Sequence, residues 1–548
     1  MLEWLDKLGG KPDHPMHSIA AAKTLLADLP EDPGRALEEV ASWLETLTGT
    51  EGFRLADRIG IVKLLDETGQ PLELRLVQLY LKSSTLKEYE RVHAWQVTLE
   101  FWERLTGAYR LCLAGFGQDE AAAAELADEL PLLIVRCLRT LTNVTRVLHL
   151  RYLPVREELW RVLFEVYRLS EAAGCDHRRL AAYTREALRT TPRQELLCAM
   201  MLDAALPESM LPLQIDLMAR AAARFAEAFL FRPKPETGCN WHVDLARPHH
   251  PLHVSANLGV QTTMRFFGAG NALAMIDEVI NSLTANPDAK IKLLGDDYSS
   301  EDKLLVLKHL ALFWSDHPPR RREPRHKSNA EIQVALGFKH VASLVPHVES
   351  SGMAEIVRGG MDVKLKENLG LRLAADQEQV PTERWLEQDI TRWGLGAGIP
   401  HGSESRVRVG TLCGLKCSSQ QWWVGVVRRF YRDSESHAHA GIEILAKKPV
   451  LVWLRGVGPE GAVAENWVAS SESMDYEYLN VILLNDSAMA TQRHELLLTH
   501  GEFHTGNIYE VMVGDTAHYL KFEELLGEGE DFHHLRFTWN RGKPEAVQ

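Results

Sequence analysis

The chain has 548 residues, 45% of them apolar and 25% charged, with a formal net charge of −14 and a pI near 5.9. That length exceeds what one hydrophobic core organises and implies three or four domains. The acidic balance argues against a general nucleic-acid binder, which carries a basic face, so any anion site has to be a local concentration of arginine.

Residues 1–232 read as helix almost throughout. Leu37, Val40, Trp43, Leu44 and Leu47 fall at helical spacing before Gly49, and Trp95, Leu99, Trp102, Leu105, Tyr109 and Leu113 form one apolar stripe between Leu86 and Gly117. Leu159, Leu163 and Val166 overlie Trp160, Phe164 and Tyr167, which makes that helix apolar around much of its girth and central. Further helices are expected at 119–129, 131–147, 177–190, 194–206 and 209–230. The paired helices fit either a plain bundle or an irregular repeat that presents a partner-binding surface.

The texture changes at Phe231-Arg-Pro-Lys-Pro. Short strand-like runs at His253–Asn257 and Val260–Phe267 mix with helices expected at 269–286 and 300–315. Cys239, His242, His249, His250 and His253 crowd this stretch, but no second cysteine pair completes a zinc set, and surface or packing histidines are the plainer reading. After Pro318 the pattern becomes largely β. Strands are expected at Ala330–Leu336, Trp385–Asp389, Leu395–Ile399, Arg408–Leu415, Trp422–Tyr431 and Ala440–Leu445, with a helical insertion near Lys339–Val345 and Met353–Val357. A second strand-rich segment follows, at Val463–Val468, Tyr478–Leu484, Glu495–Leu498, Ile508–Val513, Tyr519–Leu526 and Leu535–Trp539. Many short strands with regular turn signals suggest small barrels.

The fold class is therefore multidomain α+β. Residues 1–232 are expected as an all-α domain, 233–317 as a mixed α/β segment, 318–456 as a β-barrel with a helical insertion, and 457–548 as a second β-rich domain. The seven cysteines are odd in number and scattered, which is cytosolic usage rather than a disulfide framework. Met1–Lys7 lacks a basic-then-apolar leader, and no apolar run is long enough to span a bilayer, so a cytoplasmic protein without a membrane span is expected.

Enzyme templates fail by inspection. The sequence has no G-x-S-x-G elbow and no G-x4-G-K-[ST] loop. His494-Glu495 followed by His500 is two residues too long for H-E-x-x-H, and a six-residue step puts the imidazoles on different faces of a helix. Gly394-Leu-Gly-Ala-Gly398 lacks the strand–turn–helix continuation of a dinucleotide site. Cys413-x3-Cys417 sits in an alternating strand pattern, unsuited to a redox pair. No catalytic constellation, metal set or cofactor motif is assembled, and the expectation is a non-enzymatic protein.

What remains is Arg320-Arg321-Arg322-Glu323-Pro324-Arg325, directly after Pro318-Pro319. Flanking prolines disfavour helix, and unpartnered guanidinium groups resist burial. On its own the hexamer fits either a charged linker or an extended arm that closes over an anion. Downstream, Asp389-Ile390-Thr391-Arg392-Trp393-Gly394 ends a strand and enters a glycine-rich turn. Arg321-x3-Arg325 followed by Asp389-x-Thr391-x2-Gly394 resembles the R-x-x-x-R and [D/N]-x-S-x-x-G motifs of the PilZ family of cyclic di-GMP receptors. Gly425–Arg429 and Ala440–Leu445 look like paired late strands of the same barrel, and the resemblance covers about 318–450.

The resemblance implies an antiparallel barrel that binds cyclic di-GMP through Arg321, Arg325, Asp389, Thr391 and Gly394, with Arg320, Arg322 and Arg428 as additional contacts. The chemistry suits the ligand. A guanidinium fork matches phosphate oxygens or guanine O6 and N7, and its flat face stacks on a purine. An Asp accepts from guanine N–H groups, Thr391 offers a hydroxyl, and Gly394 allows close backbone approach. Trp393, Trp422 and Trp423 are expected in the barrel core or an interface rather than as stacking platforms. Two departures from the family pattern stand out: Thr391 replaces the usual serine, and sixty-three residues lie between Arg325 and Asp389, which implies an insertion. By the resemblance, the protein is a bacterial effector whose helical domain delivers the signal to a protein partner, in control of motility, attachment or exopolysaccharide. The alternative is a helical scaffold with a degenerate barrel that binds no nucleotide.

Overall fold

The computed structural model describes residues 12–118, 120–184, 188–286, 294–319, 323–346, 380–417, 421–456, 478–484, 494–501, 508–513 and 516–540. The chain divides into two compact units, Met1–Arg320 and Arg321–Gln548.

The first unit begins with helices α1 (Ile19–Ala27), α2 (Pro33–Gly49), α3 (Leu55–Lys82), α4 (Glu88–Gly115), α5 (Glu120–Glu125), α6 (Leu130–Leu150), α7 (Glu157–Ala172), α8 (Pro192–Ala204) and α9 (Pro212–Phe225). Side-chain oxygens of Ser18, Asp32 and Thr191 accept from the first-turn amides of α1, α2 and α8, which satisfies donors that the helix itself leaves open. Strands β1 (Leu230–Arg232), β2 (Trp241–Asp244), β3 (Leu252–His253) and β4 (Met264–Gly268) then form an antiparallel sheet in the order β1-β4-β2-β3, followed by α10 (Ala272–Ala285) and α11 (Ser300–Phe313). One hydrophobic core runs from Met16 to Trp314, so the mixed segment shares its core with the helices before it.

Helix α6 is central: it packs against α4, α7, α8 and α9, and most of its residues are buried. It also carries the arginines of two buried ionic clusters. Arg146 contacts both Glu73 on α3 and Asp216 on α9. Burial works to raise the Asp216 pKa, yet Arg146 and Arg220 together hold it below the ordinary carboxylate value. Arg136 lies 3.6 Å from Asp66, whose carboxylate also accepts from Tyr109 at 2.5 Å and Tyr183 at 3.0 Å.

That second cluster explains where the sequence reading of 177–190 differs from the structure. Among the described residues this stretch is not helical. Leu180 and Thr190 pair as an isolated bridge, while Arg136 donates to the Ala182 carbonyl at 2.9 Å and Tyr183 inserts toward Asp66. Satisfying two buried charges outweighs the helical propensity of an Ala-rich segment. The helix expected over 209–230 likewise stops at Phe225, and the chain turns into β1.

The second unit opens with β5 (His326–Lys327), β6 (Glu331–Leu336), α12 (Phe338–Leu344), β7 (Glu383–Ile390), β8 (Gly394–Gly398), β9 (Leu412–Lys416), β10 (Trp423–Arg432) and β11 (Ala438–Ala446). These strands form a curled antiparallel sheet in the order β5-β7-β6-β9-β10-β11-β8, and an additional β7–β8 pairing brings the two margins of the curl together. The strand expected from Arg408 starts only at Leu412, because Gly410, with φ +91°, turns the chain first. Strands β12 (Val450–Gly456), β13 (Tyr478–Leu484), β14 (His494–Thr499), β15 (Ile508–Val513), β16 (Thr516–Glu528) and β17 (Phe532–Asn540) close a six-stranded barrel, in the order β12-β13-β14-β17-β16-β15. Phe338 and Val341 of α12 join Leu412, Val424, Ile482, Leu497 and Phe532 in one cluster, so the helix packs between sheet and barrel. Met353–Val357 and Val463–Val468 lie outside the described residues.

Among the described residues, no helix is long and apolar enough to cross a membrane.

Candidate ligand-binding site

Strands β7 and β8 form a hairpin whose connection is Thr391-Arg392-Trp393. The Thr391 amide donates to the Gly394 carbonyl at 2.7 Å, and the Thr391 hydroxyl reaches the same oxygen at 3.3 Å. A β-carbon on Gly394 would sit 3.1 Å from the Thr391 Oγ1, so the turn closes tightly because residue 394 lacks one.

The hairpin contains a bulge. Glu387 opposes Ala397, whereas Asp389 opposes Gly396, leaving Gln388 as the extra residue on β7. Before it, β7 alternates: Trp385 and Glu387 are buried while Arg384 and Leu386 are exposed. After it, Gln388, Asp389 and Ile390 are all half-buried. An extra residue re-aims every side chain beyond it, and this one turns the Asp389 carboxylate toward Gly396. A β-carbon on Gly396 would stand 2.7 Å from Asp389 Oδ1, a separation that real carbon–oxygen pairs do not adopt. Gly396 is therefore the cradle of the carboxylate.

The arm meets this hairpin at three points. Glu323 accepts from the Arg392 amide at 3.2 Å, Arg325 donates to Asp389 Oδ2 at 2.7 Å, and β5 adds to β7 with Lys327 opposite Asp389. Pro324 restricts Glu323 to extended backbone and presets its own φ, which keeps the segment strand-like up to β5. Side-chain exposures of 29% for Arg325 and 23% for Asp389 leave the pair open to solvent on one side. Asp389 Oδ1 is buried and has no hydrogen-bond partner among the described residues. A buried acceptor of this kind is uncommon and is suited to take an N–H from a ligand.

The structure thus brings together Arg325, Asp389, Thr391 and Gly394, across the sixty-three intervening residues. Arg320, Arg321 and Arg322 lie outside the described residues. Arg428 is exposed and committed to Glu443 at 2.7 Å; Glu443 is the cross-strand partner of Gly394 on β11, next to the hairpin, while Arg428 stands one strand further, on β10. The tryptophans lie outside the barrel core. Trp393, Trp422 and Trp423 are half-buried rather than core residues, and each carries a cation over its ring: Lys447 lies 4.5 Å from the Trp423 centroid, Arg392 5.4 Å and Lys447 5.8 Å from Trp393, and Lys416 6.0 Å from Trp422. Gly396, Gln388 and Glu323 were not singled out from the sequence. The alternation of glycine at 394, 396 and 398 on one strand was the available signal for the first.

Among the described residues, no group of three metal-capable side chains gathers in the Cys239–His253 stretch. Burial raises the Cys239 thiol, which keeps it protonated, while His242 packs edge-on to His249 and His253 tilts over Trp241.

Residues 20–235 match the family model described as the N-terminal domain of the cyclic-di-GMP receptor FimW. No curated protein matches the chain significantly. The matched span runs from α1 through the end of β1, the helical part of the first unit. Over that region the chain is similar to the N-terminal domain of a cyclic-di-GMP receptor.

Proposed function

We propose that the protein is a cyclic di-GMP-binding effector whose ligand site is the β7–β8 hairpin together with the arm before β5, in a PilZ-like barrel. The reading rests chiefly on one observation: the Arg325–Asp389 contact at 2.7 Å joins two short motifs that are far apart in sequence. Asp389 Oδ1 accepts from a guanine N–H edge, Arg325 turns its fork to phosphate or to guanine O6 and N7, and Thr391 donates to phosphate. Arg320, Arg321 and Arg322 supply further positive charge to the two phosphates. Arg428 contributes only if it exchanges Glu443 for the ligand. The FimW-type match over the helices supports the same second messenger from an independent part of the chain.

Arg325 and Asp389 neutralise each other in the structure. Binding replaces that internal pair by contacts to the nucleotide and draws on the arm, which begins where the helical unit ends at residue 320. Fixing the arm is then the step by which the signal reaches the helical unit and a protein partner in the cytoplasm, for control of motility, attachment or exopolysaccharide. No chemical step is assigned to the protein.

Isothermal calorimetry on the full chain tests the ligand. Micromolar or tighter binding of cyclic di-GMP, with no heat from GMP at the same concentration, is expected. Absence of binding would leave the scaffold reading with a degenerate barrel.

A further inference from the structure

The second unit holds a cluster that this nucleotide reading does not use. His500 follows β14, Glu528 ends β16 and His533 lies near the start of β17. Two backbone devices bring them together at one end of the closed barrel. Glu528 and His533 are cross-strand partners on either side of the 529–531 turn, which the Gly529 amide closes by donating to the Phe532 carbonyl at 2.9 Å. The His500 amide donates to the Asp531 carbonyl at 3.2 Å and ties the end of β14 to that same turn.

The side chains converge. Nε2 of His500 and Nε2 of His533 both address the same carboxylate oxygen, Glu528 Oε1, the first in hydrogen-bond contact and the second at 3.5 Å. The imidazole centroids are 4.5 Å apart. One ligand atom from each residue lies within 4.8 Å of the others, and among the described residues this is the group of three or more metal-capable side chains so arranged. Tetrahedral zinc with bonds of about 2.0–2.1 Å spaces its donors by about 3.3 Å, so small side-chain rotations suffice to bring the three donors onto one ion.

We propose that His500, Glu528 and His533 form a divalent-cation site, with zinc as the ion that the donor set fits. Two imidazoles and one carboxylate are borderline donors, suited to zinc rather than to the all-oxygen shells of magnesium or calcium. His533 is nearly buried while His500 and Glu528 are about half exposed, so the ion enters from solvent and keeps a coordination position for water. Binding replaces the direct His500–Glu528 contact and cross-links the ends of β14, β16 and β17. The His494-Glu495…His500 spacing is unsuitable as a helical zinc motif; His494 begins a strand, and His500 finds its partners across the sheet instead.

The test uses the full chain stripped with a chelator, dialysed and titrated with zinc chloride, with bound zinc read by elemental analysis and thermal melting followed in parallel. The expected result is one equivalent of zinc per chain and a rise in melting temperature. His500→Asn and Glu528→Gln, both partly exposed and so tolerant of change, should each weaken zinc binding at least tenfold and abolish the thermal shift, with the metal-free melting temperature unchanged. Zinc uptake equal in the unaltered chain and both variants, or no uptake at all, would overturn the assignment.

Discussion

Replacing Gly396 by Ala tests whether the Asp389 carboxylate is positioned for a ligand. The added β-carbon would lie 2.7 Å from Asp389 Oδ1 and 3.0 Å from its Cγ, so the carboxylate has to move by roughly half an ångström to reach ordinary contact. The movement disturbs the 2.7 Å bond from Arg325 and turns Oδ1 away from its present direction. The Arg325–Asp389 pair is partly solvent-exposed, so its loosening costs about 0.5–1 kcal/mol of stability. Exchanging Gly for Ala within a strand returns about 0.5–1 kcal/mol of backbone entropy. The two nearly cancel, and thermal stability should stay within about 1 kcal/mol of the unaltered protein. Ligand affinity has no such compensation. A misplaced two-point acceptor costs about 1–3 kcal/mol, or about 5- to 150-fold in Kd. Gly398→Ala is the matched control on the same strand, since its β-carbon would meet nothing nearer than Gln388 Nε2 at 3.7 Å. Calorimetric titration with cyclic di-GMP and thermal melting of both variants decide the matter. Unchanged affinity in Gly396→Ala, or an equal loss in Gly398→Ala, would refute the role given to Asp389.

Other predictions concern the helical unit. Arg146→Ala leaves the buried Glu73 without its arginine and Asp216 with Arg220 as its remaining arginine, and should cost about 3–5 kcal/mol in denaturant unfolding followed by helical circular dichroism; a loss below about 1 kcal/mol would show the cluster to be incidental. A β-carbon on Gly69 would come within 2.3 Å of the Phe101 ring, so Gly69→Ala should destabilise the α3–α4 contact by about 1–3 kcal/mol despite the better helix former, and a stabilised variant would contradict the packing. Burial holds the His309 imidazole below its ordinary value of 6.5, against the opposing pull of the Ala205 carbonyl that it contacts at 2.7 Å. The unfolded chain therefore takes up the proton first, and stability falls as pH drops through 6.5 toward the lower folded pKa. The stability advantage of the unaltered protein over His309→Gln should accordingly shrink between pH 7 and 5.5 in thermal melts; a constant difference would refute it.

Legibility in the sequence followed locality. Helix α4, with its single apolar stripe, and the short apolar strands β13 and β15 stand close to where the local residue pattern places them. Helix α3 passes through both Gly69 and Pro71, and Gly69 leaves room for Phe101. The 177–190 stretch was misread because its conformation is set by Asp66 and Arg136, partners that are remote in sequence. At the candidate site, motif spacing marked Arg325, Asp389, Thr391 and Gly394, whose roles follow from their own chemistry. Gly396 and Gln388 could not be marked that way. Their importance comes from a one-residue bulge, and register between strands is not written in either strand alone. His500 escaped for the same reason, since it meets Glu528 and His533 only across the barrel.

The central claim is that the arm and the hairpin together hold cyclic di-GMP, and the most direct measurement compares the affinities of Arg325→Ala and Asp389→Ala with that of the unaltered full chain by calorimetry. The account predicts that each substitution removes detectable binding while the circular dichroism spectrum and melting transition are retained, because both side chains lie at a partly exposed rim. Binding of unchanged strength in either folded variant would contradict it and move the ligand elsewhere on the molecule.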